Sequence, residues 1–448
     1  MPNIYDEVLE RLHQKSNQYV VAPAGCGKTQ MISNFANNYT SKILILTHTN
    51  AGVDVIKSRI TNNDVKVNTI ASFMEKYVIK FNGLHKIEID YSSNKRYKKV
   101  YEAFLKIMNY NIIKKILSYN YDMVLVDEYQ DCTISQHNSI CEIANIIPTK
   151  IFGDPIQAIF DFDKEDPLVD FSTLNDTFEY LGELNYPWRW KENIQFGKWL
   201  LQIRNEYNNN FNNIFNNDLP SNIKIINDDD DFKVHYELLK YKEKNCIITK
   251  RKQSSISIAQ RLRGNYTVLE ELELNDLKKI INDLNKCDYL SFTLNLLILL
   301  KSCYTKSNNI LNKYIDKLQQ NNVDFKRLQS DEKLKSYIYA LTSEYSYDAI
   351  KYIITYINQQ DETKCYRREL INNLCHLIIN IKQCKSITDG IKVFTQSIKR
   401  KKYSNVVAHT LLIKGLEFDN CIIYAKELTV NELYVALTRP KKKLYIML

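Results

Sequence analysis

Apolar runs of strand length punctuate the first half of the chain. NQYVVAPAG, KILILTH, YDMVLVDE and TKIFGDP each end in turn-forming or polar residues. Runs of this kind predict buried parallel strands whose carboxyl ends carry function. Helical spacing fills the segments between them, so this half is predicted to be a doubly wound α/β domain. The stretch from Glu75 to Leu117 is basic and aromatic and lies between two strands, which predicts a small helical insertion. An Asn-rich passage from Asn208 and the acidic run Asp228–Asp231 read as a connector. A strand-then-helix pattern follows at Asn245–Leu262. From about Asn265 to Ile387, Leu, Ile, Lys and Asn recur at helical spacing with little Gly or Pro, predicting an all-helical insertion. Strand patterns return at NVVAHTLL, NCIIYAKE and KKLYIML, so the second α/β domain is expected to be discontinuous.

Composition adds bounds. The 448 residues are 44% apolar, enough for two to four cored domains at roughly 100–200 residues each. A net charge of +9 suits a nucleic-acid partner without requiring one. The ten cysteines form no CxxC pair and no zinc-type cluster, which fits reduced thiols rather than structural zinc or a disulfide framework. No apolar signal core opens the chain, and the longest apolar run, Tyr289–Leu300, is too short to span a bilayer. The expectation is a soluble, cytoplasmic protein with no membrane partner. Its wealth of Asn, Ile, Lys and Tyr points to an AT-rich source such as a phage, virus or low-GC bacterium.

The candidate chemistry begins at VVAPAGCGKTQMI, Val20–Ile32. A phosphate loop needs backbone N–H groups aimed at phosphates, a lysine for the β/γ oxygens and a hydroxyl for Mg²⁺. Ala22, Ala24, Gly25, Cys26, Gly27, Lys28, Thr29 and Gln30 supply such a loop between a strand and a helix. Ala22 replaces the expected first glycine, which a small residue tolerates where φ is negative. Downstream, MVLVDEYQD places Asp127 and Glu128 at a strand end. There Asp127 can hold Mg²⁺ through water, with Thr29 as the second metal residue, and Glu128 can polarise an attacking water.

The motif set resembles the UvrD/Rep-type helicases of superfamily 1, in that family's order. APAGCGKT resembles motif I, THTNAGVDVIKSRI (Thr47–Ile60) motif Ia, TIASF (Thr69–Phe73) motif Ib and VDEYQD motif II. FGDPIQAIF (Phe152–Phe160) resembles motif III and LNYPWRW (Leu184–Trp190) motif IV. AHTLLIKGLEFDNCII (Ala408–Ile423) resembles motif V and LYVALTRPKKKLYI (Leu433–Ile446) motif VI. The resemblance implies two RecA-like domains that bind ATP and Mg²⁺ between them. Residues 1–74 and 118–205 would form domain 1A, and 75–117 a short 1B-like insertion. Residues 206–264 and 388–448 would form domain 2A, and 265–387 a 2B-like insertion. It further implies that Gln157 senses the γ-phosphate, and that Arg189 and Arg439 reach it from the second domain's side. Gly415 and Glu417 would link nucleotide to the strand-binding surface. Thr49, Asn50, Thr69, Ser72, His409 and Thr410 would contact nucleic-acid phosphates, while Phe73, Phe160 and Trp188 would stack on bases.

The chain departs from the family pattern at His48, where an aromatic is usual, and at Asp161 and Asp163, where arginines are usual. The adenine-reading glutamine has no counterpart at the usual place, since Gln14 and Gln18 lie too near the first strand. The basic run Ser397–Asn405 adjoins motif V and reads equally as a nucleic-acid contact or a solvated face. The expected function is an ATP-dependent helicase or translocase on single-stranded DNA or a single/double-strand junction, with 3′ to 5′ polarity by resemblance. Short insertions favour unwinding that depends on a protein partner. An alternative is a nucleic-acid-binding accessory subunit that uses ATP as a switch. A small-molecule P-loop kinase has no use for the DEYQD, GDPIQ and KGLEFD set.

Overall fold

The computed structural model describes residues 4–91, 96–160, 164–206, 215, 219–226, 231–240, 242–271, 275–397 and 403–448. Asp161, Asp163, Asp228, most of the Asn-rich passage and Lys399–Lys402 of the basic run lie outside the described residues. The chain divides into two compact units, Met1–Asn222 with Thr429–Lys441 and Ile223–Leu428 with Lys442–Leu448. Among the described residues no helix is long and apolar enough to cross a membrane.

The first unit is built on strands β1 (Gln18–Val21), β2 (Ile43–Thr47), β3 (Val65–Thr69), β4 (Met123–Val126), β5 (Thr149–Gly153) and β6 (Glu179–Glu183). They lie in the order β3-β2-β4-β5-β1-β6, and every pairing is parallel. β2, β4 and β5 are buried along their whole length, as continuous apolar runs covered on both faces should be. Parallel strands in register deliver their carboxyl ends to one edge. Val21 pairs with Gly153, Val126 with Ile151 and Leu46 with Val126. The residues that follow these ends therefore meet along that edge.

The helices Ile70–Lys80, Arg96–Met108 and Asn111–Asn120 run through the basic, aromatic stretch. They do not form a body of their own. Val100, Phe104, Ile107 and Met108 share one apolar cluster with Phe73, Met74, Leu46 and Val126, so these helices are the covering layer of one sheet face. Burying that face removes more apolar area from water than a detached pair of helices could.

The second unit holds β7 (Ile223–Ile226), β8 (Asn245–Thr249), β9 (Thr267–Val268), β10 (Asn405–His409), β11 (Phe418–Tyr424) and β12 (Pro440–Met447). Their order is β7-β12-β11-β8-β10-β9, with β8, β9, β10 and β11 parallel and β12 parallel to β7. The fold class is thus α/β with two six-stranded parallel sheets, as the sequence predicted. Seven helices among the described residues, from Asn275–Asn285 to Ile387–Ser397, enclose a separate apolar core including Leu296, Tyr314, Ile353 and Leu374. The all-helical pattern was read from about Asn265. The chain instead makes β9 first, after Gly264 turns at φ 70°.

A buried ionic knot ties this insertion to its sheet. Arg367 grips Glu270, just beyond β9, through Nε–Oε1 at 2.6 Å and Nη2–Oε2 at 2.9 Å. Asp276 accepts from Arg367 and from Lys252, the latter at 2.8 Å.

Candidate nucleotide site

The loop after β1 has the backbone that a phosphate cradle needs. Gly25 and Gly27 take φ of 74° and 92°, the left-handed region that favours glycine. Space requires glycine as well. A Cβ on Gly25 would lie 2.6 Å from the Trp190 ring, and one on Gly27 3.0 Å from Trp188. Ala22 is fully buried and donates its N–H to Gly153 O at 2.8 Å, so the missing first glycine is replaced by a residue locked to β5. Ala24 and Cys26 are buried beneath the loop. The helix Lys28–Asn38 follows at once, with Thr29 at its first turn. The Thr29 carbonyl accepts from Ser33, and the exposed Gln30 donates to Asn34 at 2.6 Å.

Lys28 Nζ lies 3.0 Å from Asp127 Oδ1 and 2.7 Å from Glu128 Oε1. Burial works against the Lys28 charge, but Asp127 and Glu128 more than offset it, and its pKa is held above the usual lysine value. Glu128 sits at φ 57°, a strained backbone for a non-glycine residue. It is fixed from two sides, by Lys28 and by Gln130 Nε2, which donates to Glu128 Oε2 at 2.6 Å. Gln130 Oε1 in turn accepts from the Asp154 N–H at 3.1 Å, joining the ends of β4 and β5.

Beyond β5, Gln157 donates from Nε2 to Asp154 Oδ2 at 2.9 Å. Its Oε1 accepts from Arg439 Nη2 at 3.3 Å. Arg189 donates its N–H to Gly25 O at 3.0 Å and its Nη1 to Thr438 O at 2.7 Å. The phosphate loop, Arg189, Thr438, Arg439, Gln157 and Asp154 are therefore one hydrogen-bonded chain. Arg189 and Arg439 were expected from the second domain's side. Both lie in the first unit, Arg189 within Met1–Asn222 and Arg439 because the Val430–Leu437 helix packs against the Pro155–Gln157 turn and the segment Thr429–Lys441 goes with it. Asn431 Nδ2 adds a bond to Ala158 O at 3.0 Å.

The expected strand contacts divide. Thr49 and Thr69 cap the helices that follow β2 and β3, accepting from the N–H of Gly52 and of Ser72. With Asn50 and Ser72 they sit at neighbouring strand ends, and Thr49, Asn50 and Ser72 are exposed. Phe160 is half-buried beyond the sensor turn. Phe73 is corrected to a core role. It is 3% exposed and packs on Tyr77, Phe104 and Tyr121, so its ring offers no stacking face. Thr410 is fully buried, which withdraws its hydroxyl from a backbone contact. His409 is also buried, 3.8 Å from Glu271. Gly415, at φ 79°, and Glu417 are exposed in the second unit.

Trp188 is 44% exposed but stands over Gly27 of the phosphate loop, beside Tyr186 with centroids 4.4 Å apart and Tyr5 at 6.3 Å. Its open face therefore adjoins the nucleotide loop. Gln18 is buried as an acceptor of Lys150, which also bonds Gln14 O and Ser16 O at 2.6 and 2.7 Å. Neither glutamine is placed to read a base. Sequence reading passed over Gln130 and Asp154, although both stand inside the quoted DEYQD and GDPIQ motifs. It also passed over Tyr434, inside the quoted LYVALTR stretch, and Arg204, a lone residue with distant partners.

The family profile described as "AAA domain" matches residues 6–163, about a third of the chain. No curated protein sequence matches the chain. Among solved structures, similar folds include the Pif1 helicase from Candida albicans, at 12% identity and TM-score 0.42, covering 100% of this chain and 94% of that one. The Bacteroides Pif1 helicase in complex with ADP-AlF3 and ssDNA shares 13% identity at TM-score 0.41, over 99% and 91% of the two chains. The Arterivirus nonstructural protein 10 helicase with DNA shares 10% identity at TM-score 0.37. This chain covers 63% of its length. All of these are loose likenesses. Within the chain itself, a glycine loop, its lysine, paired carboxylates and a glutamine–arginine contact stand at one sheet edge.

Proposed function

We propose that the protein is a superfamily 1 helicase or translocase that hydrolyses ATP while moving on single-stranded DNA. The observation that carries this reading is the clustering of Lys28, Asp127 and Glu128 within 3.0 Å beside the Gln157–Arg439 contact. Thr29 and Asp127 offer hard oxygen donors suited to Mg²⁺. That ion would neutralise charge on the phosphates and orient them. Lys28 would exchange its carboxylate partners for phosphate oxygens. Glu128 would then be released to orient water, from a backbone already strained toward that role. Gln157, Arg189 and Arg439 would meet the γ-phosphate charge. Trp188 would carry the nucleobase, and Thr49, Asn50, Ser72 and Phe160 would contact the strand.

The UvrD/Rep-type assignment and 3′ to 5′ polarity rest on motif order alone. A second reading, an ATP-switched accessory subunit needing a protein partner, is favoured by the helices at 70–120. They cover the sheet and so form no separate lobe to engage a duplex. The test is ATPase turnover with and without single-stranded DNA or RNA, followed by strand displacement on 3′- and 5′-tailed duplexes. The motor reading expects DNA-stimulated turnover with displacement from the 3′ tail. Turnover that ignores both nucleic acids would overturn it, and stimulation without displacement would leave the switch.

A further inference from the structure

We propose that Arg204, on the helix Ile194–Glu206, is a positioning residue for the γ-phosphate sensor, acting through Asp154. This rests on the hydrolase reading above. Asp154 is fully buried at the end of β5. Its Oδ1 accepts from Arg204 Nε at 3.3 Å, and its Oδ2 accepts from Gln157 Nε2 at 2.9 Å and from Tyr434 OH at 3.4 Å. Arg204 is 8% exposed and its other arm bonds Glu183, at the end of β6. Burial opposes the guanidinium charge, and Asp154 and Glu183 outweigh it.

A carboxylate buried this deeply needs a counter-charge, and Arg204 supplies it. Asp154, held by Arg204, decides how the sensor faces. An ionised carboxylate only accepts hydrogen bonds, so the Gln157 amide must turn its N–H edge to Asp154. That leaves the Gln157 carbonyl for Arg439. The same carboxylate holds Tyr434, whose helix ends beside Arg439. Arg204 therefore sets the orientation of both partners in the Gln157–Arg439 contact. A buried ion pair alone is weak evidence for either stability or function. Here, however, its third arm leads straight into the sensor.

The test compares Arg204→Met, Arg204→Lys, Gln157→Ala and the Gln157→Ala/Arg204→Lys double variant, with Glu128→Gln as reference, in DNA-stimulated ATPase. Urea midpoints identify the folded variants. Arg204→Met should lower kcat on the order of 100-fold, and Arg204→Lys, which keeps charge but cannot span both carboxylates, about 10-fold. KM for ATP should stay within about 3-fold. If Arg204→Met does not fold, Arg204→Lys carries the test. In the Gln157→Ala background the Arg204→Lys loss should vanish, because both changes act on one group. An equal Arg204→Lys loss in both backgrounds overturns the proposal. So does undiminished kcat in the folded Arg204 variants while Glu128→Gln abolishes turnover. Turnover surviving in Glu128→Gln would instead bring down the hydrolase reading, and the role of Arg204 with it.

Discussion

In the first sheet β1, β4 and β5 end in a glycine loop, two carboxylates and a buried aspartate. In the second, the parallel strands β8, β10 and β11 end in Thr249, His409 and Tyr424. The two frames share strand number and an all-parallel core. What differs is where buried charge is placed. In the first unit Lys28, Asp127, Asp154 and Arg204 converge at the carboxyl edge, where substrates are met in such folds. In the second, Arg367 and Glu270 are buried at the root of the helical insertion, where they fasten helices to a sheet. Buried charge alone therefore does not mark a site.

The contrast breaks most severely at Lys28 and Glu128. Lys28→Ala or Glu128→Gln should abolish DNA-stimulated ATP hydrolysis with the fold intact by circular dichroism. Normal turnover in either variant would mean that the first edge is structural too. Arg367→Met should act in the opposite sense. Removing the guanidinium that Glu270 and Asp276 share should destabilise the second unit by about 3 kcal/mol in urea unfolding. ATP affinity should be unchanged, and a matching loss of nucleotide binding would erase the distinction.

Lys150 offers a charge at the other end of the first sheet, where no chemistry is expected. Burial pushes its pKa down to about 8 from 10.5. Between those values the unfolded chain holds a proton that the folded chain has released, so stability should rise with pH across that window. The rise should be about 3 kcal/mol, seen as a slope in urea midpoints that Lys150→Met removes. An identical slope in the variant would reject the assignment. The finest comparison is between two aromatics. Trp188→Ala should weaken ATP binding about 10-fold and spare strand affinity. Phe73→Leu should alter neither, and a strand-specific loss in Phe73→Leu would return that ring to the nucleic-acid face.

Much of this was legible in the chain because it is local. The phosphate loop, Asp127–Glu128 and Gln157 follow directly from apolar strands, so pattern and chemistry coincide within a few residues. Phe73 was misplaced because residue type says nothing about which way a ring points, and its packing against Phe104 decided the case. The amphipathic helices between 70 and 120 pack on the sheet face, which a helical pattern alone does not specify. Arg204 had no local signature at all, since its meaning lies in a partner 50 residues away.

Gln157 and Arg439 are 282 positions apart, yet they bond within one compact unit. Synthesis proceeds from the amino terminus, and domains fold as they emerge. A ribosome-bound chain would therefore present its glycine loop and both carboxylates long before the matching arginine exists. Such a nascent protein would carry the glycine loop and both carboxylates without the arginine that bonds Gln157, so that contact closes only after residue 439 has been made.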